Sequence, residues 1–210
     1  MVDWKAITKI AKQIAEQTDR IDIMVNNAAR GIMTYQLTDY GVDRHITVNH
    51  MGHVILNSHL MPIMKTPEKG NTVRVVTLGL NAHQLTPSVC KFASPDELNQ
   101  DLRPNPQHGR AKLAVMLYCK YSAKHLTSAH PRILANSVYP GFMDTKMSQY
   151  DIHEPYPLGG YAMSVGMSPF KKDQFQGCVS AVFAATMTEK SGQYICSLVF
   201  LRRGLGKRPK

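Results

Sequence analysis

The sequence predicts an α/β fold, a parallel sheet with helices on both faces, and three observations carry that prediction. Ile21-Asp22-Ile23-Met24-Val25, residues 72–78 and residues 133–138 are short, apolar and rich in β-branched side chains. That is the pattern of strands buried on both faces. The stretches between them carry apolar residues at helical spacing. Strand and helix therefore alternate, which in one sheet gives parallel neighbours joined by crossover helices.

Asp3 can cap a first helix by accepting a hydrogen bond from a first-turn N–H. Trp4, Ile7, Ile10, Ala11 and Ile14 then share one face, and residues 18–20 end it. Residues 28–38 read as a loop. Asp39 is placed to cap the next helix, with Val42, Ile46, Val54 and Ile55 among its apolar positions. Residues 67–71 hold proline, glycine and asparagine and read as a turn. Residues 81–107 are polar and dotted with prolines, a long loop with a short helix near residues 95–98. A long helix follows over residues 109–128, with Leu113, Met116 and Leu117 at helical spacing. Pro104 and Pro106 lie upstream, where this helix is expected not to have begun. Residues 146–170 form an adaptable segment with prolines and methionines. A helix over residues 172–187 and a last strand from Gln193 complete the chain.

At 210 residues and 43% hydrophobic content, the chain reads as one domain over residues 1–200 with a sizeable core. Residues 201–210 read as a solvated basic tail, since Arg202, Arg203, Lys207, Arg208 and Lys210 crowd it within a net charge of +10. No recognition fold or aromatic interleaving accompanies that charge, so no nucleic-acid partner is expected. No apolar run reaches the roughly 18 residues of a membrane helix, and the first residues lack the apolar core of a signal peptide. Cys90, Cys119, Cys178 and Cys196 are widely spaced without a Cys-x-x-Cys. They fit reduced thiols in the cytoplasm.

Ligands in such sheets sit beyond the carboxyl ends of the strands. Asn27, Leu80, Pro140 and Gly141 fall at such ends. His108 and Lys112 are four residues apart, so they stack on one helical face. Three further segments stand in order around them: Val25-Asn26-Asn27-Ala28-Ala29, Val48-Asn49-His50-Met51-Gly52-His53, and Val138 to Thr145 with Pro140-Gly141.

Together these four segments resemble the short-chain dehydrogenase/reductase family, over about residues 3 to 196. The nearest branch is that of retinol-dehydrogenase-like and fungal secondary-metabolite reductases. The resemblance implies a Rossmann-like sheet and NAD(P) as cofactor. It places Asn49 at the active-site asparagine of a proton relay and Lys112 at the lysine that holds the nicotinamide ribose. Asn27, Ala28, Lys112, Pro140, Gly141 and Thr145 fall at cofactor-binding positions. Asn26 and Asn27 stand where the family ties its fourth strand to the neighbours. Residues 146–170 fall where the family closes on substrate.

The chain also departs from the family. No glycine-rich Gly-x-x-x-Gly-x-Gly follows a strand, so the chain is expected to begin just before the family's fourth strand, without the first strands and the glycine loop. Leu80 stands at the catalytic serine and cannot donate a hydrogen bond; Asn81, next to it, is the candidate for compensation. His108 stands where the family has its catalytic tyrosine. A positive Lys112 beside it favours neutral imidazole, and a shorter side chain that misses by about 1 Å can lose about 100-fold in rate. His108 is thus either a weak acid or a polar residue at a helix start. Asn49 and Lys112 either keep their family roles or serve packing.

His45, His50 and His53 share a histidine-rich helix, but no acidic or cysteine ligand accompanies them, and no metal is expected. The expected function is that of a catalytically inactive or impaired relative of an NAD(P)-dependent alcohol/carbonyl oxidoreductase. The alternative is an active enzyme on a small alcohol or carbonyl substrate in secondary metabolism. In the family's strand order, 3-2-1-4-5-6-7, the fourth strand pairs with the first. Residues 21–25 should therefore form an open apolar edge through which the chain self-associates.

Overall fold

The computed structural model describes residues 1–64, 71–141, 143, 153–157, 159–160 and 173–196. Helix α1 (Trp4–Gln17) leads to β1 (Ile23–Asn26). Helix α2 (Arg44–Ile46) runs through a π-helical turn at Thr47–Met51 into α3 (Gly52–Met64). Strand β2 (Val73–Leu78), a 3-10 turn (Asn81–Leu85), α4 (Pro95–Leu98) and α5 (Pro104–Ser122) follow. Strand β3 (Ile133–Tyr139), α6 (Gln174–Thr186) and β4 (Tyr194–Cys196) complete the described elements.

All four strands are parallel, in the order β1-β2-β3-β4. Side-chain alternation splits the core between the two sheet faces. Val73, Val75, Ile133 and Ala135 meet Ala11 of α1 and Leu60 and Met64 of α3. Val76 and Val138 point the other way, onto Ala184 and Ala185 of α6. Helices on both faces are therefore present, as the alternation of elements required. Because the strands run in one direction, Asn26, Leu78 and Tyr139 end along one edge, which positions the loops of interest.

Several local expectations change. Strand β1 starts at Ile23 rather than Ile21, because the Ile21 N–H is taken by the Ile63 carbonyl at the end of α3. The cap of α2 is Asp43, not Asp39: its Oδ1 accepts from the Ile46 N–H at 3.1 Å, while Asp39 is exposed in the preceding turn. Helix α5 begins at Pro104, not near residue 109. Both prolines sit in the first turn, where the N–H groups have no intrahelical partner, so proline loses nothing there.

The core-facing stripe also differs. Along α5, Ala111, Ala114, Val115 and Cys119 are buried, whereas Leu117 is 46% exposed. Small side chains let α5 approach Ile46 closely, so closeness of packing rather than side-chain size picked the face. In α1, Ile7 and Ala11 are buried as expected, Trp4 stacks on Tyr40, and Ile10 turns out to solvent. Thr145, most of residues 146–170, all but the last residue of the 67–71 turn and the basic tail lie outside the described residues.

Candidate active site

The site forms where α5 meets the carboxyl end of β2 and the loop after β1. Gly109 makes that passage possible: a Cβ there would lie 2.6 Å from the Ala82 carbonyl in the 3-10 turn. The close approach buries Gln107, His108, Arg110 and Lys112 together. Arg110 donates to the carbonyls of Glu97 and Gln100, at 2.8 and 3.2 Å, and so ties α5 to the end of α4.

His108 and Lys112 do share a face, and both are buried. Lys112 Nζ donates to the Leu78 carbonyl at 3.1 Å, and burial pushes its ammonium down to about 8. Burial, then the Lys112 charge, push the His108 imidazole down to about 3. His108 is therefore neutral at pH 7, as the sequence suggested, but desolvation outranks the lysine as the cause. His108 hydrogen-bonds to the main chain of Gly31, and its Nδ1 is buried without a partner.

That bond belongs to a larger pattern. The loop after β1 is gripped residue by residue. His53 Nε2 donates to the Ala28 carbonyl at 2.6 Å. Asn49 Oδ1 accepts from the Arg30 N–H at 3.0 Å. His45 Nε2 accepts from the Met33 N–H at 3.0 Å. Asn49, His45 and His53 all come from the α2–α3 run, whose π-helical turn shifts the phase of the helix and aims Asn49 at the loop. Two of the three histidines, His45 and His53, thus serve as a main-chain clamp, while His50 lies edge-on to Tyr118.

Below the clamp lies a buried polar group the sequence reading missed. Asp43 Oδ2 accepts from Gln107 Nε2 at 2.7 Å, linking the cap of α2 to α5. Burial would raise the Asp43 carboxyl, but the His45 imidazole 3.7 Å away and hydrogen bonds from Gln107 and the Ile46 N–H hold it below the ordinary value. The only local signal was an aspartate one residue before a helix start; Gln107, 64 residues away, gave none.

The remaining expected positions are spread around this centre. Leu80 is extended, and its carbonyl accepts from His83 Nδ1 at 2.8 Å. Asn81 does not turn into the site: its Oδ1 accepts from the Tyr194 hydroxyl at 2.9 Å. Asn26, at 3% exposure, is the residue that ties β1 to β2, through Thr77 Oγ1; Asn27 is exposed. Pro140 and Gly141 follow β3, and Gly141 takes φ +95°, a conformation suited to glycine.

Among the described residues, three of the family positions are altered or already engaged. Leu80 offers no donor, His108 is turned to the Gly31 main chain, and Lys112 Nζ is held by Leu78. The cavity at Ala28 and Ala29 has about 330 Å³, the small end of roughly 300–1,000 Å³ for drug-sized ligands.

The family model described as short chain dehydrogenase matches residues 1–89. The Neurospora crassa oxidoreductase bli-4, named as mitochondrial, is 49% identical over 201 residues, covering 93% of this chain and 49% of that protein. Human retinol dehydrogenase 13 is 27% identical, over 71% of this chain and 43% of the relative. The chain thus spans about half the length of the curated relatives it matches. Among solved structures, the Pseudomonas aeruginosa RhlG/NADP complex matches with TM-score 0.65 and 19% identity, covering 93% of this chain and 72% of the other. Thermoplasma acidophilum aldohexose dehydrogenase matches with TM-score 0.63 and 16% identity, covering 99% and 79%. At these identities the structural likeness speaks for the fold.

Proposed function

Given a chain that belongs to the short-chain dehydrogenase/reductase family, we propose that its 210 residues form a catalytically impaired relative of the NAD(P)-dependent alcohol and carbonyl oxidoreductases. The observation that carries this reading is His108. It stands at the acid position, buried and neutral, with its hydrogen bond spent on the Gly31 main chain. A general acid must hold a proton within reach of the reacting oxygen. Leu80 in the serine position removes the second donor that such a reaction uses.

The 210-residue chain is expected to bind NADPH with a dissociation constant above about 10 μM, weaker than about −7 kcal/mol. Fluorescence titration of NADPH measures this. Replacing Leu80→Ser together with His108→Tyr is expected to leave turnover at background against a panel of aldehydes and quinones. Lys112 and the loop main chain stay committed as before. Turnover in the double variant, or tight NADPH binding, would restore the reading of an active oxidoreductase on a small alcohol or carbonyl.

A second copy of the chain is the proposed partner. Among the described residues β1 pairs only with β2, and on that edge Ile23 is 46% and Val25 43% exposed. An exposed edge with apolar side chains favours pairing with another strand, and a two-fold dimer closes that surface on itself. Light scattering during size exclusion is expected to give twice the chain mass or more; a monodisperse monomer would end the idea. No helix among the described residues is long and apolar enough to cross a membrane. All four cysteines are unpaired, which supports a reducing compartment, with the cytoplasm as the proposal and a mitochondrial compartment, as in the relative's name, as the competing outcome of localisation.

A further inference from the structure

Glu154 reaches across 120 residues of sequence to the far end of the clamped loop. Its Oε1 accepts from the Thr34 N–H at 3.2 Å and from the Thr34 hydroxyl at 2.7 Å. The same oxygen accepts from Arg44 Nη2, and Oε2 lies 3.7 Å from Arg30 Nη2. Arg44 is itself held in place. Its Nη1 donates to Gln36 Oε1 at 2.9 Å and its main-chain N–H to the Gln36 carbonyl at 3.0 Å. Its Nε is buried with no hydrogen-bond partner. A main-chain N–H, a hydroxyl and a planar guanidinium converging on one oxygen form the donor set that recognises carboxylates.

This notch opens onto a cavity of about 330 Å³. Arg30 and Arg44 line it together with Met1 and Val2, and Ala28, Ala29, Met33 and Val48 supply further apolar surface. Two guanidinium side chains beside apolar surface suit a molecule with an acidic head and an apolar body. Glu154 supplies the head without the body, and the unpartnered Arg44 Nε is a donor that it leaves unused.

We propose that Thr34, Arg44 and Arg30 form a binding site for an organic carboxylate with an apolar tail, filled in this structure by the chain's own Glu154. Such a ligand competes with Glu154, and binding releases residues 153–157 from the loop. The site stands apart from the catalytic condition of His108, so it survives whichever way the turnover assays fall.

Calorimetric titration of the whole 210-residue chain with octanoate, acetate and inorganic phosphate tests this. Glu154→Gln is expected to tighten octanoate binding about tenfold, the factor that follows when the internal carboxylate fills the notch about nine times in ten. Acetate, lacking the tail, binds more weakly than octanoate, and adding Arg44→Gln abolishes the gain. Should Glu154→Gln not melt cooperatively, Glu154→Asp, which keeps the charge but falls short of Thr34, is expected to shift affinity the same way. Equal octanoate affinity with and without Glu154 would overturn the proposal. So would phosphate binding as tightly as octanoate, which marks a general basic patch.

Discussion

Lowering the pH from 7 to 4.5 is expected to remove about 5 kcal/mol of folding stability, comparable with the whole stability of a typical domain, about 5–15 kcal/mol. Two imidazoles set this figure. Burial, then the charges of Lys112 and His45, hold His108 at about 3. Burial, then His53, hold His50 at about 4. In the unfolded chain both return to about 6.5. Below that pH the unfolded state binds protons that the folded state refuses. Stability is therefore complete above about 6.5 and falls as the pH drops toward 4 and 3. Two pH units below 6.5, each ring contributes about 2.7 kcal/mol at about 1.36 kcal/mol per unit. The depressed Asp43 carboxyl adds its own loss only below its unfolded value near 3.8, outside this window. Urea melts followed by circular dichroism at pH 7, 6, 5 and 4.5 measure the slope. His108→Asn is expected to remove about half of it. A midpoint that stays constant from pH 7 to pH 5 would contradict the assignment of His108 as buried and of both rings as neutral.

Asp43→Ala is expected to destabilise the fold by about 3 kcal/mol at pH 7. The cap on Ile46 accounts for about 1 kcal/mol of that. The rest comes from Gln107 Nε2, left buried without its acceptor, at about 1–3 kcal/mol. Asp43 is fully buried, so water does not replace it. Asp43→Asn is the informative control. It keeps the Oδ1 acceptor for the Ile46 N–H but turns an NH2 toward Gln107 Nε2 where Oδ2 stood, and so is expected to recover only the cap, about 1 kcal/mol of the loss. Chemical denaturation of both variants decides this. Equal losses would mean that the bond to Ile46 adds nothing and that the contact with Gln107 carries the whole effect.

How much of this was legible in the sequence differs between particular residues. The alternation of β-branched runs and amphipathic stretches read directly as a parallel sheet, because a strand buried on both faces leaves few other patterns. His108 and Lys112 read as neighbours because helix geometry puts residues four apart on one face. The cap of α2 was misplaced by four residues, from Asp43 to Asp39, because both aspartates precede a helical pattern and only tertiary burial selects between them. The start of α5 was misplaced because proline reads as a breaker unless its position in the first turn is known.

The sequence by itself determined the sheet, the order of its helices and the four segments that mark the family, for all of these rest on local periodicity and spacing. Tertiary structure alone decided what the polar residues of those segments touch. Asn49, His45, His53 and His108 converge on one loop, and Glu154 meets Thr34 from 120 positions away. No local pattern encodes such meetings. They arise because close packing at Gly109 and the phase shift in the π-helical turn bring distant side chains to the same few main-chain groups, and buried polar groups must find partners wherever packing has placed them.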